Sequence, residues 1–213
     1  MIEILYKDQD IIVCIKPEGL LSAKDSSNKA NMEDVLKSEN QLAEIYPIHR
    51  LDREVEGVMV YALNKDAAAA LSKDVSDHLA FEKRYLAVVN GCPKKQTDTL
   101  EDLLFKDSSK NKSYVVKRER KGVKKAKLEY NLLATENDKS LLSIRLFTGR
   151  THQIRVQLSS RNMSILGDKK YGGKPYEKLA LFCESLSFNH PVTKERMTFK
   201  SKPKNMPCFH GIK

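Results

Sequence analysis

The 213-residue chain has no apolar run approaching the 18 or so residues that a membrane-spanning helix needs. Residues 1–9 carry neither the cationic start nor the apolar stretch of a secretory signal. These absences lead us to expect a cytoplasmic protein with no membrane partner. Cysteine is sparse: Cys14, Cys92, Cys183 and Cys208 are widely scattered, with no C-x-x-C and no nearby histidine pair. That spacing argues against a zinc site and a disulfide scaffold, so we read all four as reduced thiols and expect no metal. No internal repeat or low-complexity tract is visible, which excludes solenoids and disordered tails and favours one compact body. Only residues 22–31 and 107–112 read as flexible.

Charge, by contrast, is plentiful and unbalanced. Lys plus Arg total 38 against 28 Asp plus Glu, a formal net charge of +10. Seven of the eleven residues from 117 to 127 are cationic and only Glu119 is acidic, so part of the excess is concentrated. A concentrated positive stretch suits a polyanionic partner, nucleic acid above all. Lys117, Arg118, Lys124 and Lys125 are the candidate phosphate contacts, on a basic hairpin or loop broken by Gly122.

Alternation and turn residues predict short strands at 2–6 and 11–15, then 57–63, 84–90, 128–135, 141–147, 179–188 and 196–200. Asn31 is placed to cap a helix over 32–39. Asn64 caps a second, in which Ala67, Leu71, Val75 and Leu79 recur every four residues. Ile154 and Leu158 fit one face of a third helix running to about Asn162. Many hairpin-connected strands and few helices predict an α+β fold with a mixed, largely antiparallel sheet.

Two polar segments interrupt this pattern: His49-Arg50-Leu51-Asp52-Arg53, before a strand, and Thr148-Gly149-Arg150-Thr151-His152-Gln153-Ile154-Arg155, between a strand and a helix. Functional side chains are often carried on such connections, held by rigid elements on either side.

The two segments resemble the RluA-type pseudouridine synthase family, and the resemblance extends over nearly the whole chain. Ile11 to Gly19 ends in the family's Lys-Pro-x-Gly turn. His-Arg-Leu-Asp at 49–52 is followed by Gly57, the Lys-x-Tyr-x-Ala strand stands at 83–87, and Thr-Gly-Arg-x-His-Gln-Ile-Arg is complete at 148–155. Ile165-Leu166-Gly167-Asp168, Tyr171-Gly172 and the closing segment at 186–191 follow in order. The resemblance implies the pseudouridine synthase fold, helices and loops flanking a sheet around a central cleft. It also implies isomerisation of uridine to pseudouridine in ribosomal or transfer RNA, without metal or cofactor. By the same resemblance Asp52 is the catalytic carboxylate, Arg150 its ionic partner and Tyr85 the ring that stacks on the flipped uracil. Arg50 fills the vacated stack, Ile154 walls the uracil pocket, and Arg155 is expected to contact RNA.

The chemistry fits the residue types. A guanidinium close to a carboxyl keeps it ionised. A glycosidase ordinarily needs two carboxylates because it activates water, whereas an isomerase that recaptures its own base needs one. His49 and His152 are expected to make hydrogen bonds that hold the two loops together rather than to move protons. Glu56 and Val55 stand where the family has Ser and Thr, Gln157 where His is common, Asn162 where Gly is common, and Phe182-Cys183 where His-Ala is common. These departures bear on substrate identity. The chain begins almost directly with the first catalytic strand, so we expect a single catalytic domain over residues 1–213 without a separate N-terminal RNA-binding domain, acting as a monomer on a stem-loop. The rival readings are a non-catalytic RNA-binding or ribosome-assembly protein on the same fold and a nucleoside-processing hydrolase. The lack of a second motif carboxylate counts against the hydrolase.

Overall fold

The computed structural model describes the whole chain except residues 76, 78, 205 and 207–213, so Cys208 lies outside the described residues. In chain order the elements are β1 (Ile4–Lys7), β2 (Ile11–Lys16), α1 (Met32–Asn40), β3 (Tyr46–Pro47), β4 (Glu56–Ala62), α2 (Lys65–Asp74) and β5 (Phe81–Asn90). There follow β6 (Thr97–Asp107), β7 (Lys112–Val116), β8 (Val123–Glu136), β9 (Lys139–Leu146), α3 (Gln153–Ser159), β10 (Leu181–Asn189) and β11 (Arg196–Lys200). The chain divides into two compact units, one built from Met1–Lys83 with Phe182–Pro203 and the other centred on Arg84–Leu181.

In the first unit the strands run β1-β2-β4-β10, with β11 on β10 and β3 on β4. Ile11 to Cys14 of β2 and Val58 to Ala62 of β4 are fully buried. A run of apolar residues rather than alternation marks strands covered on both faces. The β4–β10 pair is parallel and sets Gly57 opposite Cys183; the other pairs of this unit are antiparallel. Gly57 has φ 138°, and a Cβ there would collide with the backbone of Cys183, so only glycine fits. Phe81, Phe188 and Phe199 stack in series.

Both helix starts follow the sequence. The Asn31 side chain accepts from the Asp34 amide and that of Asn64 from the Ala67 amide, each at 2.9 Å. α2 stops at Asp74, however, with Ala67 and Leu71 as its buried face; Leu79 lies beyond it and is exposed.

In the second unit the order is β5-β9-β8-β6-β7. β6 is a strand that the sequence pattern does not announce. The 107–112 segment, expected to be flexible, is the turn joining β6 to β7. There Asp107 accepts from the Ser109 and Lys110 amides. The basic stretch at 117–127 is not a hairpin: it crosses from β7 to β8, both of which pair with β6, and its second half is the start of β8. α3 lies after a turn at 148–151 and buries six of its seven residues.

Candidate active-site loops

In the 49–53 segment side chains alternate in exposure: His49 and Leu51 are buried, Arg50 and Arg53 exposed, and Asp52 half-buried. The loop is fixed on both flanks of Asp52. Before it, the Ser22 hydroxyl donates to the Leu51 carbonyl at 2.8 Å and accepts the Leu51 amide at 2.9 Å, while the Tyr61 hydroxyl donates to the Ser22 carbonyl. After it, Gly19 and Arg53 exchange two bonds: the Gly19 amide donates to the Arg53 carbonyl, and Arg53 Nε donates to the Gly19 carbonyl at 2.9 Å. The turn that makes this possible needs φ +88° at Gly19.

Lys16, fully buried at the end of β2, donates from Nζ to the carbonyls of Pro17 and Arg53. Burial pushes its pKa down to about 8, opposed by the fields of Asp52, Glu56 and Glu18. Glu56, a departure from the family pattern that opens β4, is thus one of the carboxylates whose field reaches a buried ammonium. The sequence does not single out Ser22, and it marks Lys16 only as the first residue of the Lys-Pro-x-Gly turn, with no role at the Asp52 loop. A serine in a polar stretch and a lysine closing a strand both read locally as exposed residues, and only the fold shows them facing inward.

His49 lies under the loop, its Nε2 accepting the Val60 amide and its ring edge-on to Phe81 at 5.6 Å. Burial, and then the charge of Lys83, push its pKa down to about 3, so it is neutral at physiological pH. Its hydrogen bond runs to β4, whereas the sequence predicts one between the two loops.

On the second unit the 148–150 turn is fastened to β8. Thr148 Oγ1 accepts the Lys127 amide at 2.9 Å, and Arg150 Nε donates to the Lys125 carbonyl at 3.0 Å. Among the described residues the two terminal nitrogens of Arg150 carry no other bond, and the side chain is exposed. His152 sits at φ 52° before α3; its Nδ1 is 3.0 Å from the Tyr171 hydroxyl, which also accepts the Ser113 amide. Beside the turn, an open depression of about 400 Å³ is lined by Glu101, Leu103, Lys125, Lys127 and Thr148 among others.

Tyr85 lies on the inward face of β5, 5% exposed, between buried Lys83 and Ala87. Ile154 is buried on α3. Lys117, Arg118, Lys124 and Lys125 are all exposed. Arg155 is not: its guanidinium forms a bidentate pair with Asp168, at 2.8 and 2.9 Å, with 3% and 0% of the two side chains exposed. That replaces the expected RNA contact with a structural one, because a guanidinium so enclosed and so occupied presents no face to a phosphate.

One group among the described residues brings three metal-binding atoms within 4.8 Å of one another, namely Asp8, Asp10 and His190. Asp8 accepts from the amides of Asp10 and Ile11 and from the Tyr6 hydroxyl, and it pairs with His190 Nε2. His190 Nδ1 accepts the Val192 and Thr193 amides. The group is a hydrogen-bond hub for the β1–β2 turn.

Mixed strands with few helices are also the fold of solved RNA pseudouridylate synthases. Residues 10–160, which include Asp52, Tyr85 and Arg150, match that family, and the chain belongs to it. Among its relatives, an uncharacterized RNA pseudouridine synthase of Helicobacter pylori is 31% identical over 93% of this chain and 65% of its own length. Ribosomal large subunit pseudouridine synthase D of Zymomonas mobilis is 29% identical over 96% of this chain and 70% of its own. The chain thus spans about two thirds of the length of these relatives. Among solved structures, human RNA pseudouridylate synthase domain containing 4 superposes with a TM-score of 0.77 at 24% identity, covering 95% of this chain and 89% of that one. Human RNA pseudouridylate synthase domain containing 1 does so with 0.78 at 20%, covering 95% and 84%. The fold is α+β with a mixed, largely antiparallel sheet. None of the described helices is long and apolar enough to cross a membrane.

Proposed function

We propose that this protein isomerises a uridine in ribosomal or transfer RNA to pseudouridine, with Asp52 acting at the sugar. The observation that carries the reading is the double fastening of the Asp52 loop. Ser22 fixes the residue before the aspartate and Gly19 with Lys16 the residue after it, while Asp52 itself is half-buried. A catalytic carboxylate must be held to within a fraction of an ångström of its target, and this fastening supplies such support. The carboxylate opens the bond between the anomeric carbon and ring nitrogen 1. The base turns, ring carbon 5 takes the place of the nitrogen at the anomeric carbon and releases its proton, and ring nitrogen 1 takes one up from solvent.

Arg150 is assigned as the counter-charge of Asp52, and its own anchoring to the Lys125 carbonyl uses Nε alone. Extruding the uridine from its stack costs a few kcal/mol. Stacking on Tyr85, worth about 1–3 kcal/mol, offsets much of that, and Arg50 occupies the gap left in the RNA. The exposed cations Lys117, Arg118, Lys124 and Lys125 bind phosphates, and a stem-loop target fits a protein that reads splayed bases. The enzyme acts as a monomer in the cytoplasm.

The test is release of tritium from RNA labelled at uracil carbon 5. Wild-type protein is expected to release it from ribosomal or transfer RNA transcripts. D52N is expected to bind the same RNA and release none. A wild-type chain that binds RNA but releases no tritium from either class is an RNA-binding protein on this fold, and free uracil among the products would make it a hydrolase.

A further inference from the structure

β9 ends at Leu146, paired with Leu128, so β8 runs on past its neighbour, and the carbonyls of Lys125 and Lys127 meet the 148–153 segment instead of a strand. Arg150 Nε takes the first of them at 3.0 Å. The second is shared by the backbone amides of Phe147 and Thr148 and by the side-chain amide of Gln153, whose Nε2 donates to it at 3.1 Å. Gln153 is 3% exposed, the opening residue of α3, and its side-chain oxygen is engaged twice. It accepts the backbone amide of Arg150 at 3.0 Å and the hydroxyl of Thr148 at 2.8 Å. Thr148 Oγ1 in turn accepts the Lys127 amide, closing a ring of hydrogen bonds around Gly149.

We propose that Gln153 is a positioning residue for Arg150, a buried amide that ties the arginine's own backbone to β8 and so determines where its guanidinium stands. The inference rests on the reading above, in which Arg150 serves Asp52. Its physical basis is the pairing of capacities in one planar group. An amide can accept two bonds on oxygen while donating from nitrogen, so a single side chain spans the turn and the strand. A hydrophobic residue of the same length would fill the space and make none of the three bonds. A glutamate would keep both acceptor contacts but face the Lys127 carbonyl without a proton to offer. Nothing else among the described contacts holds the Arg150 amide, and Gly149 before it has no side chain to restrain the turn. The Nε bond to Lys125 and the bond from the Gln153 backbone amide to the Arg150 carbonyl remain, so loss of the side-chain amide loosens the turn without releasing it; a drift of about an ångström costs roughly 100-fold in rate.

The experiment measures tritium release and RNA affinity for Q153M, Q153E, R150A and the double variant R150A/Q153M. Q153M is expected to lower kcat about 100-fold with KM and RNA Kd within about threefold of wild type, and Q153E to fall between Q153M and wild type. The double variant is expected to be no slower than R150A alone, because a residue that acts through Arg150 has nothing left to position once it is gone. Multiplicative losses in the double variant, or wild-type kcat in Q153M, overturn the proposal. So does a fall in the folded fraction that accounts for the whole loss of rate. If Q153M does not fold, Q153E with R150A/Q153E carries the same comparison. R150A at wild-type kcat would sink the role given to Arg150, and a wild-type chain without activity would sink the enzyme reading. The three failures are thus told apart.

Discussion

Arg155 and Asp168 face each other with both oxygens of the acid bound by one guanidinium and almost no solvent on either side chain. Asp168 also accepts the Lys170 and Tyr171 amides, and Arg155 lies over the Tyr171 ring at 5.3 Å. The pair locks α3, and with it the turn that carries Arg150, to the segment that follows. Removing one partner from such a pair leaves a buried charge uncompensated, at a cost of about 3–5 kcal/mol. R155M is therefore expected to lose stability on that scale in urea melts. At temperatures where it remains folded, its RNA affinity is expected to stay near wild type. A variant of full stability and weakened RNA binding would show that Arg155 reaches the nucleic acid after all.

Acid should weaken the fold through His49. Its pKa is about 3 when folded and near 6.5 when unfolded. As pH falls from 6.5 towards 3 the unfolded chain takes up a proton that the folded chain refuses. The stabilisation present above 6.5 is then lost, up to about 5 kcal/mol over the window. H49Q is expected to be less stable at neutral pH but to show a shallower decline between pH 6.5 and 4. Equal slopes for the two proteins in denaturant melts would rule this out.

The exposed basic residues make a salt-dependence prediction. Replacing Lys117, Arg118, Lys124 and Lys125 together by glutamine is expected to flatten the plot of log Kd against log salt by about 0.7–0.9 for each phosphate no longer neutralised, roughly 3 in all. The kcat on saturating RNA should hold, since these side chains are exposed strand and crossover residues rather than part of the Asp52 loop. An unchanged slope would move RNA binding elsewhere on the surface.

Two glycines separate strain from collision. G57A puts a Cβ into the Cys183 backbone, 2.5 Å from its nitrogen, and is expected to cost more than about 4 kcal/mol. G19A meets nothing within 4 Å and is penalised only for its positive φ, about 1–2 kcal/mol. Comparable melting curves for the two variants would contradict the close approach of β4 and β10.

What the sequence makes legible is what local chemistry encodes. Asn31 and Asn64 announce their helices because a side-chain cap acts three residues away, and the short apolar run in β4 reads as a buried strand. The two loops stand out because polar residues interrupt that patterning. β6 is invisible for the opposite reason. Its inward face reads Leu100, Asp102, Leu104, and the acid breaks the alternation; it is accommodated only because Arg161 and Gln157, far along the chain, bind it. Arg155 misleads in the same way, since its partner lies on a later segment. The fastening of Asp52 by Ser22, 29 residues from Leu51, belongs to this class too. A carboxylate motif announces itself in sequence; what holds it still does not.

The buried ammonium of Lys16 has a consequence for alkaline conditions. Because its proton is held less tightly in the folded chain, with a pKa near 8 against 10.5, raising the pH from 8 to 10.5 relieves the cost of enclosing a charge and makes the fold more stable. The same deprotonation removes the cation lying among Asp52, Glu56 and Glu18, leaving three like charges to repel one another beside the reacting sugar. Turnover is therefore expected to fall across the very interval in which thermal tolerance climbs, and K16M should show neither trend.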